Sequence, residues 1–388
     1  MNWKSSLLMT CLVAFTTQAS TNTAHYQTYQ RLQMQLHKDP ARTLEAIELF
    51  NSQVQQADRQ SKEMASYLHL QACIALNRYH CAALAVDKLI ALVSDSNKKP
   101  ELLKLSTQLH YQNENYALTI ERAKQWVKAT SSVTPLPSTI DSAELYSLEG
   151  YAHYHLKSFN NAISSMERAI EIDKTEPRQL FILSLYQNKS DWENVNRVLR
   201  SLVEEYSSNP NYWERYAYSF LKLGDDNLAL GTLGSAYKSR RLPKKAILLY
   251  AQLLVTFQAP QKAISVLEQT PELINNPLYA RILRQSSLLA RDHQKAEYWL
   301  KQSESKGAQF TRGMVAYQQG NWQQVINIFK DLDPSQKSNH YYLLLSAISQ
   351  FELREWQQAH IAFSCLSGTK YDLLSAQWIS QIDYLNTP

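Results

Sequence analysis

Residues 143–177 read AELYSLEGYAHYHLKSFNNAISSMERAIEIDKTEP, and the fold is decided there. A small residue, Gly150, precedes a helix end flanked by the aromatics Tyr154 and Phe159. Ala162, Met166 and Ala169 follow before the unit closes at Pro177. Small side chains at Gly150, Ala162 and Ala169 let two antiparallel helices approach closely. Phe159 and Met166 are then expected to fill the gap between one helical hairpin and the next.

This pattern resembles the tetratricopeptide repeat, and the same frame recurs downstream. Taking the small residue early in the second helix as an anchor gives Ala162, Val195, Ala229, Ala263, Ala296, Val325 and Ala359, at spacings of 33, 34, 34, 33, 29 and 34 residues. A large side chain stands three positions before most anchors: Phe159, Trp192, Pro260, His293, Trp322 and Trp356. A large apolar one often stands four after: Met166, Leu199, Leu233, Leu267, Leu300, Phe329 and Phe363. Upstream, Ala82 and Thr119 mark two more second helices, and intervals of 37 and 43 residues imply insertions. The predicted fold class is all-α: a tetratricopeptide-type α-solenoid of stacked antiparallel helix hairpins, wound as a right-handed superhelix.

The rest of the chain is assigned around that array. Residues 1–19 read as a signal peptide, with Lys4 as the positive region, Leu7 to Phe15 as a short apolar run and Thr17-Gln18-Ala19 as the cleavage site. Cleavage near Ala19 predicts a periplasmic location. Residues 20–60 are expected to form an atypical N-terminal helical cap broken at Asp39-Pro40, and residues 61–130 degenerate repeats. The segment SSVTPLPSTID, residues 131–141, reads as a surface loop. The array proper spans 142–370, and 371–388 is a C-terminal capping helix, since terminal repeats depart from consensus.

Composition narrows the function. Glycine contributes 8 of 388 residues, which leans towards helix and predicts few positive-φ turns. The charge of +5 comes from 40 basic and 35 acidic side chains spread along the chain. Nucleic-acid binding is not predicted, because it needs a basic stripe on one face. No segment after the leader is apolar enough to cross a membrane. Metalloprotease, serine-hydrolase and nucleotide-binding motifs are absent, so no enzyme, cofactor or metal is predicted. His153 and His155 are two apart on a helix and point in different directions. Beyond the leader stand Cys73, Cys81 and Cys365; Cys73 and Cys81 flank a predicted helix turn, as a disulfide or as small buried side chains.

From Asn211 onward the likeness becomes more particular. The run NYWERYAYSFLKLGDDNLALGTLGSAYKSRRLPKKAILLYAQLLVTFQAPQKAISVLEQ, residues 211–269, resembles periplasmic repeat proteins encoded with TonB–ExbB–ExbD energy-transduction systems. Trp213 opening a repeat, Ala236-Tyr237 before a basic turn, Ala259-Pro260 before Lys262-Ala263, the later LLARDHQKAEYWLKQSE and the closing AQWISQIDYL carry the resemblance. It covers roughly residues 200–385, with Arg284 a departure where a small residue is expected. The resemblance implies an accessory role in TonB-dependent uptake across the outer membrane, of the iron-chelate type, with a TonB- or ExbD-type protein as partner. The rival of the same class is an adaptor in outer-membrane or secretion-complex assembly.

The repeat frame also nominates a binding face. Tyr151, Tyr154, Tyr218, Tyr317, Tyr341 and Phe351, with Glu214, Lys222, Arg281 and Gln285, are predicted to line the concave groove. Aromatic and arginine side chains on an exposed surface are common anchors for an extended peptide or a partner helix.

Overall fold

A computed structural model describes residues 23–130, 138–301, 308–332 and 340–386, and among them there is no strand. The expected signal peptide and residues 131–137 of the predicted loop lie outside the described residues. The chain divides into two compact units, residues 1–190 and 191–388.

The first unit contains α1 (Thr23–Lys38), α2 (Pro40–Gln53), α3 (Arg59–Ala75), α4 (Tyr79–Leu92), α5 (Lys99–Gln112), α6 (Tyr116–Thr130), α7 (Thr139–His155), α8 (Phe159–Ile172) and α9 (Glu176–Asn188). The second contains α10 (Trp192–Glu205), α11 (Pro210–Leu223), α12 (Asp226–Lys238), α13 (Lys244–Thr256), α14 (Pro260–Glu268), α15 (Pro277–Leu289) and α16 (His293–Lys301). It continues with α17 (Ala308–Gln318), α18 (Trp322–Lys330), α19 (Tyr341–Glu352), α20 (Trp356–Ser364) and α21 (Asp372–Asn386). Consecutive helices pair: α3 with α4, α5 with α6 and α7 with α8 in the first unit, and α11 with α12 through α19 with α20 in the second. Each second helix also meets the next first helix, and first helices touch one another (α5 with α7, α13 with α15, α17 with α19). This is a tetratricopeptide-type α-solenoid.

Why the chain repeats this way is visible at the turns. Asn77, Glu114, Lys157, Ser190, Gly224, Gln258, Arg291, Gly320 and Arg354 all have positive φ, between 54° and 80°. Each stands five residues before its anchor. Around the turn a backbone N–H reaches the carbonyl five residues back, as from Arg78 to Cys73 (2.8 Å) and from Ser158 to His153 (2.9 Å). That is a helix stop of the Schellman type, which glycine usually makes. Here only Gly224 and Gly320 of the nine are glycine. The expectation that scarce glycine means few positive-φ turns is therefore corrected. The hairpin contacts hold ordinary side chains in the left-handed region, at a local cost of about 1–2 kcal/mol each.

The anchors behave as the frame requires. Ala82, Thr119, Ala162, Val195, Ala229, Ala263, Ala296, Val325 and Ala359 are all fully buried. So are the apolar residues four positions later, among them Val86, Met166, Leu199, Leu233, Leu267, Phe329 and Phe363. Gly150 earns its small side chain: a Cβ there would lie 3.3 Å from the Ala162 carbonyl oxygen and from Met166 Cε. Phe159 departs from expectation. It is 40% exposed and sits beside Tyr154, so Met166 alone fills the gap.

Helix starts are marked locally. The Asp39 carboxylate accepts from the Arg42 N–H ahead of Pro40, and Ser138 and Asp225 cap α7 and α12 in the same way. Cys73 and Cys81 form a disulfide across the α3–α4 turn, their Cα atoms 5.7 Å apart, while Cys365 is free and exposed. No described helix is long and apolar enough to cross a membrane.

Candidate functional site

Each of the two units carries its own surface of aromatic side chains. In the first unit, aromatic rings within and between successive hairpins cluster, several of them edge to face. Tyr111 at the end of α5 lies 5.9 Å from Tyr116 and 6.3 Å from Tyr151. Tyr151 stands 4.5 Å from Phe181 on α9, and Tyr154 5.5 Å from the same ring. His155 stacks on Tyr116 at 4.3 Å. Such pairs add about 0.5–1.5 kcal/mol each beyond their burial. Tyr151 is half-buried, and desolvation raises its phenol above the ordinary tyrosine value. Tyr154 and Phe159 remain open at 37% and 40% exposure. The result is an aromatic ridge with a half-buried base and an exposed edge.

In the second unit the corresponding surface combines rings with charge. Tyr218 is 45% exposed and lies 6.1 Å from Trp192. The Lys222 ammonium sits over both rings, 5.2 Å from Tyr218 and 5.6 Å from Trp192. One exposed cation–π contact is worth about 0.5–1 kcal/mol, so it orients more than it stabilises. Glu214 is half-buried and pairs with Lys245 at 2.8 Å. On α15, Arg281 and Gln285 are exposed between Leu278 and Leu289, which are 43% and 47% exposed. Arg284 is half-buried; desolvation, with Arg281 nearby, lowers its pKa.

The remaining nominated residues have more of their surface inside the array. Tyr317 is half-buried, 5.4 Å from Trp322, and desolvation raises its phenol. Tyr341 faces Phe310 and Tyr371. Phe351 lies between Trp356 (5.0 Å) and Trp378 (4.7 Å), holding α21 against the last hairpin. The ten nominated residues therefore fall into two groups. Tyr154, Tyr218, Lys222, Arg281 and Gln285 present exposed surface, while Tyr151, Glu214, Tyr317, Tyr341 and Phe351 support it from half-buried positions.

Sequence reading missed Tyr116, Phe181 and Trp192 as parts of these surfaces, and Leu278 and Leu289. Trp192 was legible as the large residue three before an anchor, but that position was read as gap filling. Leu278 and Leu289 share the face of Arg281 and Gln285 by helical spacing, which was the available signal.

Several charged groups elsewhere are engaged. Lys244 and Lys245 of the basic turn pair with Glu272 and Glu214. Glu204 pairs with Arg200, and Asp225 is a helix cap. His153 is buried 3.9 Å from Glu149, and burial lowers its pKa. Among the described residues one group, His69 with Cys73 and Cys81, brings three possible metal-ligand atoms within 4.8 Å of one another.

No family model matches the chain, and no curated protein matches it. Solved structures do. The structure of Naa15/Naa10 bound to HypK-THB aligns with 84% of this chain at 10% identity and a TM-score of 0.48. This chain spans 52% of that one, about half its length. A tetratricopeptide repeat protein from Parabacteroides merdae aligns over 67% of this chain and 99% of its own, at 11% identity and a TM-score of 0.36. The P58(IPK) TPR domain covers 94% of this chain and 97% of its own, at 14% identity and a TM-score of 0.29. Likenesses at this level say nothing of what this chain binds. The solenoid assignment rests on the helix order, the buried anchors and the recurrent turn.

Proposed function

We propose that this protein is a periplasmic protein-binding scaffold, an accessory component of a TonB-dependent outer-membrane transport system of the iron-uptake type. The observation that carries the scaffold reading is the Trp192–Tyr218–Lys222 surface in a helical repeat, with Tyr218 and Lys222 exposed against a half-buried Trp192. Rings fixed by neighbouring hairpins lose little freedom on binding, and a cation held over them adds direction. The aromatic ridge of the first unit offers the same kind of anchor without the charge.

The leader-like residues 1–19 and the Cys73–Cys81 disulfide both support an oxidising envelope location. The TonB–ExbB–ExbD association rests on the resemblance of roughly residues 200–385, which lie in the unit that carries Tyr218.

The test is photo-crosslinking in cells, with a photo-reactive residue replacing Tyr218 and, as a control, Ile361 on second helix α20, read by mass spectrometry. Recovery of a TonB- or ExbD-type protein from position 218 alone supports the proposal. Recovery of outer-membrane assembly proteins would replace it with the assembly-adaptor reading. Identical products from both positions would remove this surface as the binding face.

A further inference from the structure

We infer that His69, Cys73 and Cys81 form, when the two cysteines are reduced, a three-ligand site for a zinc-type divalent ion, so that metal and disulfide are alternative staples across the α3–α4 turn. His69 and Cys73 are four apart on α3 and therefore share a face. The turn at Asn77, with φ of 54°, brings the first turn of α4 back against that face and places Cys81 there. Cys81 Sγ lies 3.4 Å from His69 Nε2, and the three ligand atoms fall within 4.8 Å of one another. Zinc bound tetrahedrally at about 2.3 Å from sulfur and about 2.0–2.1 Å from nitrogen sets these atoms about 3.5 Å apart. Once the disulfide is opened, rotation of the two cysteine side chains across a Cα–Cα distance of 5.7 Å brings the sulfurs to about that separation.

Access is provided too. Cys73 is fully buried, whereas His69 and Cys81 are half-buried and open one side of the cluster to solvent. Water takes the fourth position. The chemistry balances: a dithiol reductant gives two electrons and two protons to the Cys73–Cys81 bond and itself becomes a disulfide. The ion then binds two thiolates and the neutral imidazole, releasing the two thiol protons.

The experiment uses the full chain, reduced with a phosphine that leaves as its oxide, and titrated with Co²⁺ under anaerobic conditions. One Co²⁺ per chain is expected, with a thiolate-to-cobalt charge-transfer band and the strong visible bands of four-coordinate cobalt. The oxidised protein should show neither. His69→Ala should weaken Co²⁺ binding by at least about tenfold, and His69→Cys, which returns a ligand, should restore it. Reduced wild-type protein without a charge-transfer band, or unchanged affinity in His69→Ala, would overturn the inference.

Discussion

The two units reach the same fold with different chemistry. In the first, successive hairpins are joined by polar groups shielded from water. Asp87 on α4 accepts from Ser106 (2.7 Å), from the Arg122 Nε–H (3.0 Å) and shares a hydrogen bond with His110 (3.0 Å), tying α4 to both helices of the next hairpin. Lys104 pairs with Asp141, and Arg178 with Asp173 while donating to Ser147. In the second unit the ion pairs, such as Lys244–Glu272 and Lys295–Glu268, lie on the exposed side. Its joints are mainly apolar, as where Leu233, Ala246, Leu254, Ala263 and Leu283 form one cluster and Phe363 stacks on Trp378. A polar exception lies between α10 and α11, where the Asn196 Nδ2–H donates to Ser219 (2.9 Å). In the first unit specific polar pairs help set the register, in its clear repeat at 143–177 as well as upstream. In the second, size complementarity sets most of it.

That contrast can be attacked from the largest expected effect downward. Ala229→Asp places an unpaired charge at a fully buried anchor of the second unit. It should cost about 4 kcal/mol or more and abolish hydrogen-exchange protection in α11–α14.

Asp87→Ala strands His110 and leaves Arg122 only Gln125 and Glu121 in the first unit, and should cost about 3 kcal/mol by urea titration, with exchange rising in α4–α6. Acid should act through the same residue. Burial pushes the Asp87 carboxyl up, but hydrogen bonds from His110, Arg122 and Ser106 outweigh it and leave the pKa well below the usual carboxylate range. A group depressed in the folded state stabilises above its unfolded pKa and loses that contribution as pH falls towards the folded one. First-unit stability should therefore decline from about pH 4 downward, and less so in Asp87→Ala.

Gly313→Ala probes the apolar side of the comparison. The new Cβ would lie 2.1 Å from Phe329 Cε1, a ring with nowhere to go in a closed core, and should cost about 2 kcal/mol. A loss below about 0.5 kcal/mol would show that joints in the second unit are looser than their packing implies.

Smallest is Lys157→Gly, which relieves the left-handed turn between α7 and α8. It should raise stability by about 0.5–1 kcal/mol, measurable as a shift in the urea midpoint.

The solenoid was legible because its determinants are local and periodic: a small anchor, a large residue four later, and a fixed distance between them. The turn residues were not legible. At Lys157, Arg291 and Arg354 the left-handed conformation is imposed by the hairpin and not by any preference of the side chain. Nor does the frame separate exposed from supporting aromatics. Tyr154 and Tyr151 occupy the same helix, three apart, yet Tyr151 is covered by Phe181 from the next hairpin while Tyr154 keeps its edge open. Burial of that kind depends on which residue the neighbouring repeat supplies. The Asp87 network escaped notice for a related reason: its partners lie 19, 23 and 35 residues away, beyond any single-helix pattern.

The turn five residues before each anchor has a further consequence. Because its length never varies, the irregular spacings of 37, 43 and 29 residues arise outside it, in the connections between hairpins and in the helices themselves. Helix α7 runs 17 residues where α5 and α11 run 14, while α16 runs only 9. The chain thus has two kinds of joint, one closed to editing and one open to it. Insertions, deletions and grafted peptides belong at the open joints, where lengthening a connection leaves every hairpin's internal measure intact.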